Sequence, residues 1–253
     1  EIRANEGRLE LRTRRVMPMC TAASRWPVIK DKLRALLDRK HYNRFPLHEF
    51  FYLVKQPAKR ERYSKGELEL IDLLAEGPCM MEELPEKAGI DLYHFECERL
   101  EAEGIVMRCG LTPTDFMHIK GDYGAFDREA SLLAARYLWR SLKREDCDGD
   151  MEALTREVYD MVEGRMYEFV VKILLKQRYP KQFGGEFDPQ TEFFIREAWR
   201  KRKLSPNGLL NFGLDTEAVL IGVGAPTHLF LQEVADALNT ECVLPEDAEV
   251  ANA

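Results

Sequence analysis

Apolar positions along this chain change period several times, and each change predicts a new element. Leu9 and Leu11 alternate with Glu10 and Arg12, which predicts a short half-buried strand paired across a turn at Asn5-Glu6-Gly7. Pro27 opens a helix that sets Ile29, Leu33, Leu36 and Leu37 on one face. Phe50-Phe51-Tyr52-Leu53-Val54 is aromatic, β-favouring and too short for a helix, so it reads as a second strand. A basic, exposed connector runs from Lys55 to Tyr63.

From Ser64 to Arg108 the pattern describes a unit of its own. Ser64 and Glu67 make a capping box for a helix carrying Leu68, Ile71 and Leu74, and Gly77-Pro78 stops it. A short helix over Glu82 to Ala88, a turn at Gly89, and a third helix ending near Glu103 follow. Gly104 caps that helix before the strand Ile105-Val106-Met107. Helix, helix, turn, helix, strand is the layout of a winged helix-turn-helix.

The next stretch is helical: Asp127 to Arg144, then Met151 to Tyr179 until Pro180 ends it, then a helix capped by Asp188 and opened by Pro189. After the turn at Pro206-Asn207-Gly208 the pattern becomes α/β. Ala218 to Val223 and Glu241 to Leu244 read as buried strands around a helix from Thr227 to Leu238. The expected architecture is a helix-rich α/β chain in four stretches: 1–63, 64–110, 111–208 and 209–253.

With 253 residues, 45% of them apolar, the chain has enough material for a real core. Its net charge of −7 weighs against a general polyanion binder, so no nucleic-acid partner is expected. No run of apolar residues is long enough to span a membrane, and the Arg- and Glu-rich first twenty residues hold no apolar signal region. Six scattered cysteines without a C-x-x-C pair suit reduced thiols, and the cytoplasm is the expected location. Both ends read as cut: the chain opens without Met and stops just after a strand.

Two segments concentrate chemistry. Leu111 to Tyr123, LTPTDFMHIKGDY, gathers Thr112, Thr114, Asp115 and His118 in what reads as a loop with a sharp turn at Gly121. Asp115 and His118 are the candidate catalytic pair, His118 carrying a proton and Asp115 orienting it. The alternative makes Asp115 a helix cap and His118 a satisfied core residue. In Leu220 to Leu238 a strand runs into Gly222-Val223-Gly224-Ala225-Pro226 and then a helix. Gly222, Gly224, Ala225 and Pro226 are the candidate cofactor-binding residues, bare backbone beside a helix N-terminus. Thr227 stands where a dinucleotide fingerprint needs its third glycine. A tight strand–helix turn without a ligand is the alternative.

Three other features invite a reading and fail it. Asp146-Cys147-Asp148-Gly149-Asp150 with Glu157 mimics a calcium loop but lacks glycine at the sixth position, which is Met151, so it reads as an acidic helix cap. The basic run Trp199 to Lys203 ends a helix, where cations offset the dipole. His41, His48 and His94 have no partners at metal-ligand spacing and read as structural.

Together the two chemical segments resemble the hydantoinase A/oxoprolinase family, and the resemblance covers nearly the whole chain. GRLELRTRRVMPMC, Gly7 to Cys20, resembles the stretch just after that family's second phosphate loop. Leu111 to Tyr123 resembles a family motif, and Leu220 to Ala253, ending PEDAEVANA, resembles the adenosine-binding and second connecting elements. The resemblance implies a partial actin-like ATPase fold with an inserted winged-helix unit and a helical subdomain. It also implies ATP and Mg as cofactors, and ring-opening hydrolysis of a cyclic amide such as a hydantoin or 5-oxoproline. A partner subunit or homo-oligomer is possible on this reading. An actin-fold ATPase acting as an activator or sensor, and a winged-helix DNA-binding regulator, are the other readings. The family's Asp-Gly-Gly-Thr-type loop and its second glycine-rich loop are absent here, which places phosphate and metal chemistry largely outside this chain.

Overall fold

Glu6 and Gly7 both have positive φ, 49° and 80°, so a two-residue turn of the primed type joins β1 (Ile2–Asn5) to β2 (Arg8–Leu11). That hairpin, with Ile2 opposite Leu11, is the one the alternation of Leu9 and Leu11 predicts. The computed structural model describes residues 1–39, 45–142, 150–202, 213–224 and 227–245. Within them the fold is a helix-rich mixture of helices and small sheets, divided into two compact units between Val158 and Tyr159.

In the first unit, β3 (Met17–Pro18) leads into α1 (Met19–Arg25) and α2 (Val28–Leu37), and β4 (Phe50–Leu53) follows. Then come α3 (Lys65–Ala75), β5 (Cys79–Met80), α4 (Leu84–Ala88), α5 (Glu98–Ala102) and β6 (Val106–Gly110). The helices α6 (Pro113–Lys120) and α7 (Arg128–Ser141) complete the unit, and α8 (Met151–Arg178) carries the chain across the division. One mixed sheet, ordered β3-β6-β4-β5, lies at its centre. β4 pairs antiparallel with β5 and β6, and β3 runs parallel to β6.

Side chains alternate between the two faces of that sheet. Phe51 and Leu53 face a core with Leu70, Ile71, Leu74, Leu84, Leu100 and Val106, contributed by α3, α4, α5 and β6. On the other side α1, α2, α6 and α7 pack on one another, burying Met19, Ile29, Leu33, Phe116, Ala134 and Leu138. The Ser64–Glu67 capping box forms as expected, Ser64 N–H donating to Glu67 and Glu67 N–H to Ser64 Oγ. Residues 64–110 hold α3, β5, α4, α5 and β6 where helix, helix, turn, helix, strand was expected, and a third strand, β4, comes from before them and sits between β5 and β6. Residues 64–110 thus share a sheet and a core with residues 45–63.

In the second unit the rest of α8 packs with α10 (Pro189–Lys201) and α11 (Thr227–Ala237), α9 (Pro180–Phe183) being a single turn. Asp188 caps α10 through Gln190 and Thr191 N–H, with Pro189 as its first residue, as the sequence predicts. Tyr167, Val171, Ile195, Trp199, Val234 and Leu238 form the core. β7 (Leu220–Ile221) and β8 (Cys242–Val243) pair in parallel. Here the expectation of two buried strands needs correction. Ile221 is 63%, Val223 49% and Val243 46% exposed, because α11 lies against these strands on one side while their other apolar side chains face outward. No described helix is long and apolar enough to cross a membrane.

Candidate functional site

Thr112, Pro113 and Asp115 make Leu111 to Tyr123 helical where a loop was expected. Thr112 is the N-cap of α6, Pro113 supplies a pre-set φ in the first turn, and Asp115 closes a capping box on Thr112. Gly121 ends the helix in the left-handed conformation at φ 95°.

Asp115 is fully buried, and its carboxylate accepts five hydrogen bonds. Oδ2 receives Thr112 N–H at 2.9 Å, Thr112 Oγ1–H at 2.9 Å and Met19 N–H at 3.2 Å. Oδ1 receives Cys20 N–H and Ser131 Oγ–H, both at 2.8 Å. Met19 and Cys20 are the first residues of α1, so one carboxylate satisfies the free N–H groups of two helices and ties in a hydroxyl of a third. A carboxylate engaged on both oxygens is a brace between α1, α6 and α7.

His118 is buried as well. Its Nδ1–H donates to Thr114 carbonyl oxygen at 2.8 Å, and its Nε2 accepts Phe126 N–H at 3.0 Å. Those partners select one tautomer, with the hydrogen on Nδ1. Asp115 does not orient it, and both ring nitrogens are engaged by the backbone. The reading of the two residues as cap and satisfied core residue is the one the hydrogen bonds support.

A second polar cluster escaped sequence reading. Glu49, just ahead of β4, is buried between Arg3 Nε at 2.6 Å and Arg108 Nη1 at 2.9 Å, and Arg108 Nε reaches Glu101 at 3.1 Å. Burial pushes the Glu49 carboxyl up, but Arg3 and Arg108 outweigh it and hold the group below its usual value. Nothing in the local spacing announces this cluster, since its members come from β1, the approach to β4, α5 and β6.

His48 lies beside it, tilted 30° against the Tyr137 ring with centroids 4.8 Å apart, and neither ring nitrogen has a hydrogen-bond partner. Burial pushes its imidazole down to about 4 from 6.5, with Glu49 pulling the other way. His48 is therefore neutral in the fold, while the unfolded chain takes up a proton near its ordinary value. Its stability contribution is complete above pH 6.5 and is lost as pH falls toward 4. We expect unfolding free energy to drop by about 2–3 kcal/mol from this group between pH 7 and 4.5. His48→Phe should remove that part of the drop in urea titrations at the two pH values, and an equal acid loss in variant and parent would contradict it.

The buried thiols are not nucleophiles. Burial pushes Cys20 and Cys97 up to about 12 and Cys79 to about 11, and pushes Cys109 up further, so all stay protonated at neutral pH.

The glycine-rich turn divides into two roles. A Cβ on Gly222 would stand 2.5 Å from Leu244 Cδ2 and 3.1 Å from both Leu231 Cδ2 and Thr227 Oγ1. The bare backbone there admits packing between β8 and α11, and that side is filled. Gly224 instead has φ 105°, which disfavours any side chain, and its carbonyl accepts both Thr227 N–H at 3.2 Å and Thr227 Oγ1–H at 2.6 Å. Ala225 and Pro226 lie outside the described residues. So do the turn at Pro206, His41, and Asp146 to Gly149 of the calcium-like loop, whose Asp150 caps α8 by accepting Ala153 N–H on Oδ1 at 2.8 Å. Among the described residues no three of His, Cys, Asp and Glu are gathered as a metal site. Compared with family models, with curated proteins and with solved structures, the chain matches none.

Proposed function

We propose that this chain is part of an ATP-dependent enzyme of the hydantoinase and oxoprolinase kind, which opens a cyclic amide such as a hydantoin or 5-oxoproline. The reading rests on the resemblance of Gly7–Cys20, Leu111–Tyr123 and Leu220–Ala253 to that family. The observation that carries it is the turn at the carboxyl end of β7. There a strand passes through Gly224, at φ 105°, to the N-terminus of α11, and β8 lies parallel alongside. The carboxyl ends of parallel strands, next to helix N-termini, are where α/β proteins take phosphate-bearing ligands.

In this proposal the adenosine side of ATP lies against Gly224, with Ala225 and Pro226 following in sequence, and Gly222 serves by letting Leu244 and Leu231 close beneath the turn. Bound ATP would supply the phosphoryl group that activates the ring amide. Asp115 and His118 have no chemical part, because their polar atoms are engaged in the fold. The described residues gather no metal ligands, so no step is assigned to Mg. The DNA-binding alternative is disfavoured by charge. Residues 64–108 hold four basic residues against twelve acidic ones, and α5, in the recognition position, carries Glu98 and Glu101 with Arg99 alone between them.

The test measures phosphate release by the full-length protein with ATP and a panel including hydantoin and 5-oxoproline. At least one ring should raise turnover about tenfold or more, and Gly224→Val should abolish ATP binding. ATP turnover indifferent to every ring would favour the activator or sensor reading, and ATP binding unchanged in Gly224→Val would remove this turn from the site.

A further inference from the structure

Within the second unit α8 buries Tyr167 and Val171 against α10 and α11, and its last turns are less covered. There Leu174 and Leu175 are only half-buried, and the chain opposite them is the segment 214–218 that leads into β7. Two hydrogen bonds pin that segment to the end of α11. Thr216 N–H donates to Leu238 carbonyl oxygen at 3.1 Å, and Thr240 Oγ1–H donates to Ala218 carbonyl oxygen at 2.9 Å. The segment therefore does not close onto α8, and a cleft of about 670 Å³ lies between the two. Clefts of that size take small organic ligands.

The walls carry a pattern of their own. Leu174, Leu175 and Leu214 give the cleft apolar surface, Leu214 being 36% exposed. Arg178 stands on the α8 wall, and Asp215 and Glu217 stand on the other. Among the described residues none of these three has an ion-pair partner, although they face one another across the same cleft. Lys172, Arg196, Arg200 and Arg202 in this unit are all paired with carboxylates. Opposite charges held apart on facing walls mark where a ligand's own charges are matched. Gln177 lines the cleft as well, and its carboxamide, without a described partner, can both donate to and accept from a peptide group.

We propose that this cleft binds a short peptide of apolar residues with both ends free. The peptide's ammonium group meets Asp215 and Glu217, its carboxylate meets Arg178, and its side chains cover Leu174, Leu175 and Leu214. The site lies at the opposite end of β7 from the turn at Gly224, since Ala218 precedes that strand and Gly224 follows it, and it does not rest on the ATP reading.

The experiment titrates Leu-Leu into the full-length protein by calorimetry, beside N-acetyl-Leu-Leu, Leu-Leu amide and Gly-Gly. Leu-Leu should saturate with a Kd of about 1 mM or tighter, the modest affinity of an open cleft. Each blocked peptide should bind about tenfold more weakly, for the loss of one charge-assisted contact, and Gly-Gly should not bind. Arg178→Gln, and Asp215→Asn combined with Glu217→Gln, should each weaken Leu-Leu by a similar factor. All three side chains are exposed, so urea midpoints should stay at the parent value. The two sets of variants should also divide the peptides: Arg178→Gln should no longer distinguish Leu-Leu from its amide, and the carboxylate variant should no longer distinguish it from the acetylated form. The proposal is overturned if Leu-Leu does not saturate, if Gly-Gly or either blocked peptide binds as tightly, or if both sets of variants bind as the parent does.

Discussion

Replacing Asp115 by alanine is expected to cost about 3–5 kcal/mol of folding stability. The side chain is fully buried, and its loss strands the N–H groups of Thr112, Met19 and Cys20 together with the hydroxyls of Thr112 and Ser131. Each stranded buried donor loses its partner without regaining water, and the remaining space is too small and enclosed to relax fully. Asp115→Asn should be milder, near 2 kcal/mol, because one oxygen survives while the amide nitrogen faces donors it cannot accept. Urea unfolding of both variants, read beside activity in the full-length protein, separates the two roles this residue could have. A shifted midpoint is the signature of the brace. Lost turnover at an unchanged midpoint would instead put the carboxylate in the chemistry.

The second large effect is expected at Glu49. Glu49→Ala leaves Arg108, whose side chain is 5% exposed, and Arg3, at 12%, without their shared carboxylate. Breaking a buried ion pair from one side typically costs 3–5 kcal/mol, because an uncompensated charge stays in the low-dielectric interior. The pair itself need not add net stability. A double replacement, Glu49→Leu with Arg108→Met, should therefore be less destabilising than Glu49→Ala alone, despite changing two residues. The comparison needs urea midpoints of the parent, Glu49→Ala and the double variant, and a double variant at least as destabilised as Glu49→Ala would contradict it. The Glu101 and Glu1 carboxylates, which also reach Arg108 and Arg3, set the lower end of the expected range.

What the amino-acid sequence determined by itself are the features whose partners lie within a few residues. The Ser64–Glu67 box, the Asp188 cap with Pro189, the left-handed glycines at Gly104 and Gly121, and the hairpin at Glu6-Gly7 are closed by hydrogen bonds or dihedral limits spanning three or four positions. Such signals survive in a one-dimensional reading because the backbone groups they satisfy are local. Amphipathic spacing was equally legible in α2, where Ile29, Leu33 and Leu36 are buried on the expected face.

Tertiary structure decided the rest. The helix α1 has a proline as its N-cap and no capping side chain of its own, and its N-terminal donors are met by Asp115, some 95 residues away. Neither α1 nor the role of Asp115 could therefore be read from either segment alone. The two-residue strands β3 and β5 are too short to carry a period and exist only as neighbours of β6 and β4. Glu49, Arg3 and Arg108 are each an ordinary charged residue in sequence, and only the sheet order β3-β6-β4-β5, with the β1–β2 hairpin nearby, makes them a buried cluster. Gly222 and Gly224 look alike as a G-x-G pair, yet one is required by the close approach of Leu244 and the other by its backbone angle. The difference in each case is physical: a cap or a turn satisfies the backbone near in sequence, whereas a burial partner is chosen by how distant segments pack.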